Sequence, residues 1–358
     1  MCKRIFASQT SESGDVPFYK IGTIGGQADA YISYELFNQY RSRYHFPNQG
    51  ETLITCSGTV GRCIQYDGRP AYFQDSNIVW LHGDRSPITS NFLFRLLSKR
   101  NWKTLNTTTI SRIYSSDLLG LRLFYPPIVE EQERISDFLS LLDQRIEVQN
   151  KIIEEREASI KAIFLSLDVG AKQKICLRDV GEYKACDNLS WDEIGVTGRP
   201  AIIYGELFTA YRYLINTVRS RTMRNLKSVS TGNDLLFPSS TTVDAISLIA
   251  PAALMQQGVV LGGDMFSIAV KDDIDPIYLS FLINCRYKKA LSKYAQGSTI
   301  IHIHYDDIKR FPMELVSTQK QRKISAVMSS YLSLIEKEKT KLALFRREKE
   351  FFLRNMFI

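Results

Sequence analysis

The chain has 358 residues, 44% of them hydrophobic, with 46 Lys+Arg against 38 Asp+Glu and a formal net charge of +8. That length suits two or three domains, and that hydrophobic share excludes a disordered chain. Apolar runs such as residues 277–283 fall well short of the roughly 18 residues a spanning helix needs, and no apolar core follows the basic start, so a cytoplasmic protein is expected.

The charge is uneven, at +5 over residues 1–127, −4 over 128–172, +1 over 173–315 and +6 over 316–358. A basic excess suits a polyanionic partner, although an ordinary soluble basic protein looks similar. Six cysteines (Cys2, Cys56, Cys63, Cys176, Cys186, Cys285) form no C-x-x-C pair. They read as reduced, packed thiols rather than a disulfide framework or a zinc site.

In chain order, the first candidate is "YRSRYHF" (40–46), where Arg41 and Arg43 stand among Tyr40, Tyr44 and His45. Cations for phosphates beside rings for bases suit a nucleic-acid surface. "GETLIT" (50–55) reads as a strand, and "CSGTVGR" (56–62) as a polar turn offering Ser57, Thr59 and Arg62. A β-rich run from Asp75 then leads to Ser86-Pro87, an expected helix cap with proline in the first turn. Thr108, Arg112 and Tyr114 make a further polar turn.

At "LFYPPI" (123–128) the apolar run reads as a strand stopped by Pro126 and Pro127. From Ile128 onward, apolar residues at 139, 142, 146, 153, 160, 163 and 167 alternate in steps of three and four once Gln149 and Arg156 join the seam. Such a heptad pattern predicts a helix of about 38 residues and roughly 57 Å. A compact domain has no use for one that long.

The pattern then repeats. "TTTISRIYSSDLLGLRLFYPPIVEEQERIS" (107–136) lies over "GSTIIHIHYDDIKRFPMELVSTQKQRKIS" (297–325), with Asp117 on Asp307 and Leu121 on Phe311, then Gln132 on Gln321 and Ser136 on Ser325. Upstream, Asp75, Pro87 and Phe92 fall on Asp264, Pro276 and Phe281, and Asp275 takes the capping place of Ser86. "GNDLLF" (232–237) aligns with "GETLIT" at a different offset. The second seam reads Met328, Tyr331, Ile335, Glu338, Leu342, Phe345, Lys349, Phe352 and Met356. One acidic and one basic helix of matching pattern are expected to pack on each other, antiparallel, with polar seam residues helping to fix register.

Within the second copy, "TVRSRTMRNLK" (217–227) holds the densest basic run, Arg219, Arg221, Arg224 and Lys227. Like "YRSRYHF" it precedes a Gly-x-x-Leu strand, so the two segments are expected to be equivalent. "PSSTT" (238–242) matches the first polar turn, and Ser298 and His302 lie in another. His302 and His304 alternate with isoleucine on one face of an expected strand, open to a metal, to DNA or to solvent.

Chemistry of its own is hard to find. "YPPI" lacks the Asn or Asp of an amino-methyltransferase motif, and "IGTIGG" and "SGTVGR" lack phosphate-loop spacing. "EYK" (182–184) has only Asp179 upstream, too close for a nuclease site. No catalytic residue, cofactor or metal is assigned.

The junction S-S-D-L-x-x-L-x-L-x-x-P-P-x-x-x-E-Q-x-R-I, carried by Ser115 or Ser116, Asp117, Leu118, Leu121, Pro126, Pro127, Glu131, Gln132, Arg134 and Ile135, resembles that of the DNA-specificity subunit of type I restriction-modification systems. The resemblance implies an α+β, pseudo-twofold fold. Two irregular β-rich target recognition domains, residues 1–127 and 169–317, would be separated by long antiparallel helices in conserved regions 128–168 and 318–358. It implies a non-catalytic reader of a bipartite, asymmetric DNA site, joined by two methyltransferase subunits and, through them, restriction subunits. Two departures stand out. Family members begin with a short strand and loop ahead of the segment that opens this chain, which implies a truncated or misassigned start, and the second copy has Val316-Ser317 in place of Pro-Pro. The competing readings are a coiled-coil scaffold or inactive remnant, and a stand-alone nuclease.

Overall fold

A computed structural model describes residues 1–81, 87–100, 102 and 112–356. It divides into two units, residues 1–150 with 341–358, and residues 151–340. Ser86 and Thr108 lie outside the described residues.

Unit 1 runs β1 (Val16–Tyr19), β2 (Tyr31–Ile32), α1 (Tyr34–Arg43), β3 (Thr52–Thr55), β4 (Cys63–Gln65), β5 (Tyr72–Phe73), β6 (Ile78–Trp80), α2 (Ser90–Lys99) and α3 (Ser115–Leu119), then the start of α4 (Val129–Leu167). Its strands form two sheets, β2-β1-β5 and β4-β3-β6. The expected strand "TLIT" is β3, buried at all four positions. Successive side chains of a strand point to opposite faces, so Leu53 joins the core of Val16, Phe37 and Phe73, whereas Ile54 joins Leu97, Trp102 and Leu118.

Unit 2 continues with β7 (Gln173–Cys176), β8 (Gly181–Ala185), β9 (Arg199–Ile203), α5 (Glu206–Thr209), β10 (Leu214–Ile215), β11 (Ser220–Thr222), β12 (Val229–Thr231), β13 (Asp234–Pro238), β14 (Ser240–Thr241) and α6 (Ala245–Leu248). There follow β15 (Ala252–Leu254), β16 (Gln257–Gly262), β17 (Met265–Val270), α7 (Pro276–Leu282), α8 (Lys288–Leu291), β18 (Ile301–His302), α9 (Tyr305–Ile308), β19 (Pro312–Leu315) and α10 (Thr318–Asn355). The sheets are β10-β15-β13-β17-β8 and β11-β9-β16-β12, with the ribbons β14-β18 and β19-β7.

The repeat is therefore one of topology. In unit 1 β1 pairs antiparallel with β2 and parallel with β5, and in unit 2 β9 pairs antiparallel with β11 and parallel with β16. Likewise β3 lies antiparallel between β4 and β6, and β13 between β15 and β17. Additional residues between β13 and β15 hold β14 and α6, which accounts for the changed offset.

The junction residues shared by both copies have identical tasks. Gln132 accepts from Thr89 N at 2.8 Å and donates to Pro87 O at 2.9 Å and Pro126 O at 2.8 Å. Gln321 accepts from Asp275 N at 3.0 Å and donates to Val316 O at 2.8 Å. Both amides are buried, so each glutamine clamps the start of a long helix to the helix that follows the β-unit. Asp117 and Asp307 each accept from the backbone ahead of a short helix, at Tyr114 N and His304 N. Asp275 caps α7 with proline in its first turn, as expected. The first copy differs, since α2 starts at Ser90 under a Thr89 cap.

One expected strand does not form. Residues 120–126 pair with no strand, whereas their counterpart β19 pairs along its whole length with β7. Among the described residues of unit 1 nothing takes the place of β7. A strand needs a neighbour for its backbone groups, and here Tyr125 stays 37% exposed where the matching Leu315 is 5% exposed.

The long helices have 39 and 38 residues, close to the length expected from the seam. In unit 1 Phe138 meets Phe352 edge to face at 4.7 Å, Asp143 binds Lys349, and Arg145 lies over the Phe345 ring at 4.4 Å. In unit 2 Glu157 pairs with Lys339 at 2.8 Å, Arg156 approaches Glu338 at 3.8 Å, and the Tyr331 hydroxyl donates to Arg156 O at 3.2 Å. In unit 1 partner numbers fall along α10 as they rise along α4, so the helices run antiparallel there. Of the polar seam residues, Gln149 is buried and Arg156 faces Glu338 of the other helix.

All six cysteines are free thiols. Burial pushes Cys2, Cys63, Cys186 and Cys285 up to about 12 and Cys56 to about 11. The thiolate is the reactive form, so these five are expected to react with a disulfide reagent at neutral pH only as the chain unfolds. Time courses with and without denaturant check this; rapid labelling of all five in the folded protein would contradict it.

Candidate nucleic-acid interface

In unit 2 the basic run is built around β11. It pairs antiparallel with β9, setting Arg221 opposite Pro200 and Thr222 opposite Arg199. Strand alternation turns Thr222 inward and leaves Arg219 and Arg221 exposed. Three carboxylates hold the segment. The buried Glu206 accepts from Ser220 Oγ at 2.7 Å and Ile203 N at 3.0 Å. Glu193 pairs with Arg224, and its backbone carbonyl accepts from Thr222 Oγ1 at 2.9 Å. Asp187 accepts from Lys227 N and Ser228 N at 2.8 Å each. The Ser228 amide leads in holding the Asp187 carboxyl below the usual range, and the Ser190 amide leads at Glu193. The arginines are thus mounted on a fixed strand and turn, with their side chains toward solvent.

Arg221 Nη1 donates to Gly198 O at 2.8 Å, and Arg199 Nη1 to Asn225 Oδ1 at 3.2 Å. Arg199 was not evident from sequence, because a lone Arg before proline gives no signal. It joins the patch only through the pairing of β9 with β11.

The sequence equivalence of the two basic segments fails. The topological counterpart of β11 is β2, whereas Arg41 and Arg43 occupy the last turn of helix α1. Local preference decides this, since residues 34–43 carry a Ser33 cap and good helix formers and the "TVRSRT" stretch is β-branched. Arg41 lies over the rings of Phe37 at 5.7 Å and Phe46 at 5.4 Å, and Tyr44 stands edge to face with Tyr40 at 5.4 Å. Arg43, Tyr44 and His45 are exposed beside them.

The polar turn 56–62 joins β3 to β4. Ser57 Oγ donates to Asn77 at 2.7 Å and Thr59 Oγ1 to Ile21 O at 3.1 Å, so both hydroxyl protons are used inside the unit, while Arg62 is exposed. Gly61 has φ +84°, and a Cβ there would lie 2.0 Å from the Trp102 ring, so only glycine fits. Arg112 is half-buried, donates to Ser76 O at 3.5 Å and lies 5.8 Å from the Tyr114 ring. In unit 2 the ribbon β14-β18 brings "PSSTT" to His302, with Ser240 opposite His302, while Ser298 is exposed nearby in sequence. His302 and His304 do share a face, their rings parallel at 6.2 Å. No group of three metal-binding side chains occurs among the described residues. Beside the ribbon a cleft of about 750 Å³ is lined by Trp191, Tyr204, Thr241, Thr242 and Lys288.

A family model described as the type I restriction modification DNA specificity domain matches residues 1–158 and again residues 172–344. The chain belongs to this family. The two matches coincide with the two copies of the specificity domain seen in the topology. A putative type I restriction enzyme specificity subunit of Haemophilus influenzae is 44% identical over 154 residues, 43% of this chain. The match spans 39% of that relative's length. The crystal structure of a type I restriction-modification S subunit from M. genitalium covers all of this chain and 92% of its own, at 15% identity and a TM-score of 0.61. A structure concerned with assembly and conformational transition of the type I restriction-modification system covers 95% of this chain and 90% of its own, at 15% identity and 0.59. These likenesses show the fold. No helix among the described residues of this specificity-family chain is long and apolar enough to cross a membrane.

Proposed function

We propose that this chain is the non-catalytic, cytoplasmic DNA reader of a type I restriction-modification complex, directing the methyltransferase, and through it the restriction subunits, to a bipartite asymmetric site. The observation that carries the reading is a β-unit and helix written twice, with different basic side chains mounted on each copy. Two different surfaces call for two different half-sites. Residues 1–127 and 169–317 serve as target recognition domains, and 128–168 and 318–358 as the helical regions that space them and receive two methyltransferase subunits. Double-stranded DNA is the ligand, and the chain uses no cofactor or metal.

Methylome sequencing of cells with the chain and its methyltransferase, against cells lacking the chain alone, tests this. A split, asymmetric methylated motif that disappears with the chain is expected, and its absence would overturn the proposal. Purified chain with plasmid and magnesium is expected to leave the DNA uncut.

The helices supply a second test. One heptad inserted into α4 and one into the facing stretch of α10 adds about 10 Å while preserving the seam. The gap between half-sites is expected to lengthen with the bases of each unchanged. A folded variant with an unaltered gap would show that the helices do not set the spacing.

A further inference from the structure

Val196 and Met223 are 88% and 80% exposed, among the most exposed large apolar side chains described. They share one corner of unit 2. Gly195 and Arg221 exchange backbone hydrogen bonds at 2.8 and 3.0 Å, so the turn carrying Val196 backs onto the stretch carrying Met223. Gly198 closes the corner at φ +100°, where a Cβ would lie 2.2 Å from Thr222 O and 3.0 Å from Met223 Sδ. Around the two side chains stand the exposed Arg199, Arg221 and Arg224.

Flexible apolar tips held in water on a fixed turn gain nothing for the folded unit, since hydrophobic stabilisation comes only with removal from water. Their cationic surround repels most basic partners and attracts phosphate. In duplex DNA the apolar feature within reach of such a tip is the thymine 5-methyl group, displayed in the major groove between the two lines of phosphates. We propose that Val196 and Met223 form an apolar base-reading tip that covers a thymine methyl in the half-site read by unit 2, while Arg199 and Arg221 hold the flanking phosphates. This rests on the DNA-reading function above and assigns the side chains that discriminate bases within it.

The test uses the assembled complex with its methyltransferase and the motif found in cells. Each thymine of the half-site belonging to unit 2 is replaced by deoxyuridine, which deletes only the methyl. Affinity is expected to fall about fourfold at one or two positions, the effect of one buried methyl. The Val196→Ser, Met223→Ser double variant is expected to bind thymine and uracil sites alike, with its salt dependence unchanged because no phosphate contact is lost. Its circular dichroism should match the parent, as both side chains face solvent. Silent uracil at every position, or discrimination that survives the double variant, would overturn the proposal while leaving DNA reading intact. Failure to find any chain-dependent motif would strike at the function itself.

Discussion

Alanine at Arg219, Arg221, Arg224 and Lys227 together is expected to lower affinity for every DNA sequence by about a hundredfold near physiological salt. Each neutralised phosphate contributes about 0.9 to the slope of log affinity against log salt, so losing about three contacts flattens the slope by nearly three. Three rather than four is the expected number, since Glu193 already engages Arg224. The loss should be uniform across sequences, as phosphate contacts position a protein without reading bases. All four side chains are exposed, so the variant keeps its fold. Anisotropy titrations over a salt series on specific and scrambled duplexes measure both slopes. An unchanged slope would remove this segment from the interface, and a change confined to the specific duplex would recast its side chains as base readers.

Much of the architecture was legible because residues with matching tasks recur at matching places in the two copies. Gln132 and Gln321 clamp the start of each long helix, Asp117 and Asp307 cap a short helix, and the seam residues Leu139, Leu142, Gln149, Ile153 and Ile160 are buried along α4. The caps depend on neighbours three residues away and the seam on a fixed period, both of which a sequence displays, whereas the glutamine clamps reach groups 43 to 46 residues away and show in the sequence only because they recur in both copies. The sheets were less legible. β2 and β11 occupy matching places although "YI" and "SRT" share no pattern, because a strand's place is set by partners far along the chain.

The candidate surfaces follow the same division. The basic run in unit 2 was legible as composition, but not its anchoring by Glu206, Glu193 and Asp187, which lie between 14 and 41 residues from the groups they hold. Ser57 and Thr59 read as available hydroxyls, and the partners that occupy them lie 20 and 38 residues away. The pairing of Arg41 and Arg43 with the second basic run failed for a related reason. Position relative to the next strand carries less information than the sheet neighbours, and only the fold shows those.

The largest effect on stability is expected at Asp168, just past the end of α4. Its side chain is fully buried and receives Lys172 Nζ at 2.6 Å, Arg286 Nη2 at 2.8 Å and the Tyr278 hydroxyl at 2.7 Å. Burial, reinforced by the Asp168 carboxylate, raises the Tyr278 hydroxyl far above its ordinary value, so it remains a donor throughout the working range. One carboxylate thereby ties the end of the long helix to α7 and to the turn that follows it, inside the core of unit 2. Asp168→Ala leaves two cations and a buried hydroxyl without their acceptor, and removing one partner of a buried ion pair costs about 3–5 kcal/mol. Asp168→Asn keeps the shape and an acceptor for Tyr278 but not the charge, so a smaller loss is expected. Denaturant unfolding followed by amide exchange in β13 and β17 reports on unit 2 separately from β3 and β6 in unit 1. If alanine and asparagine prove equally mild, the cluster contributes little beyond its packing. If the loss appears equally in both units, the tie is not confined to the core in which it sits.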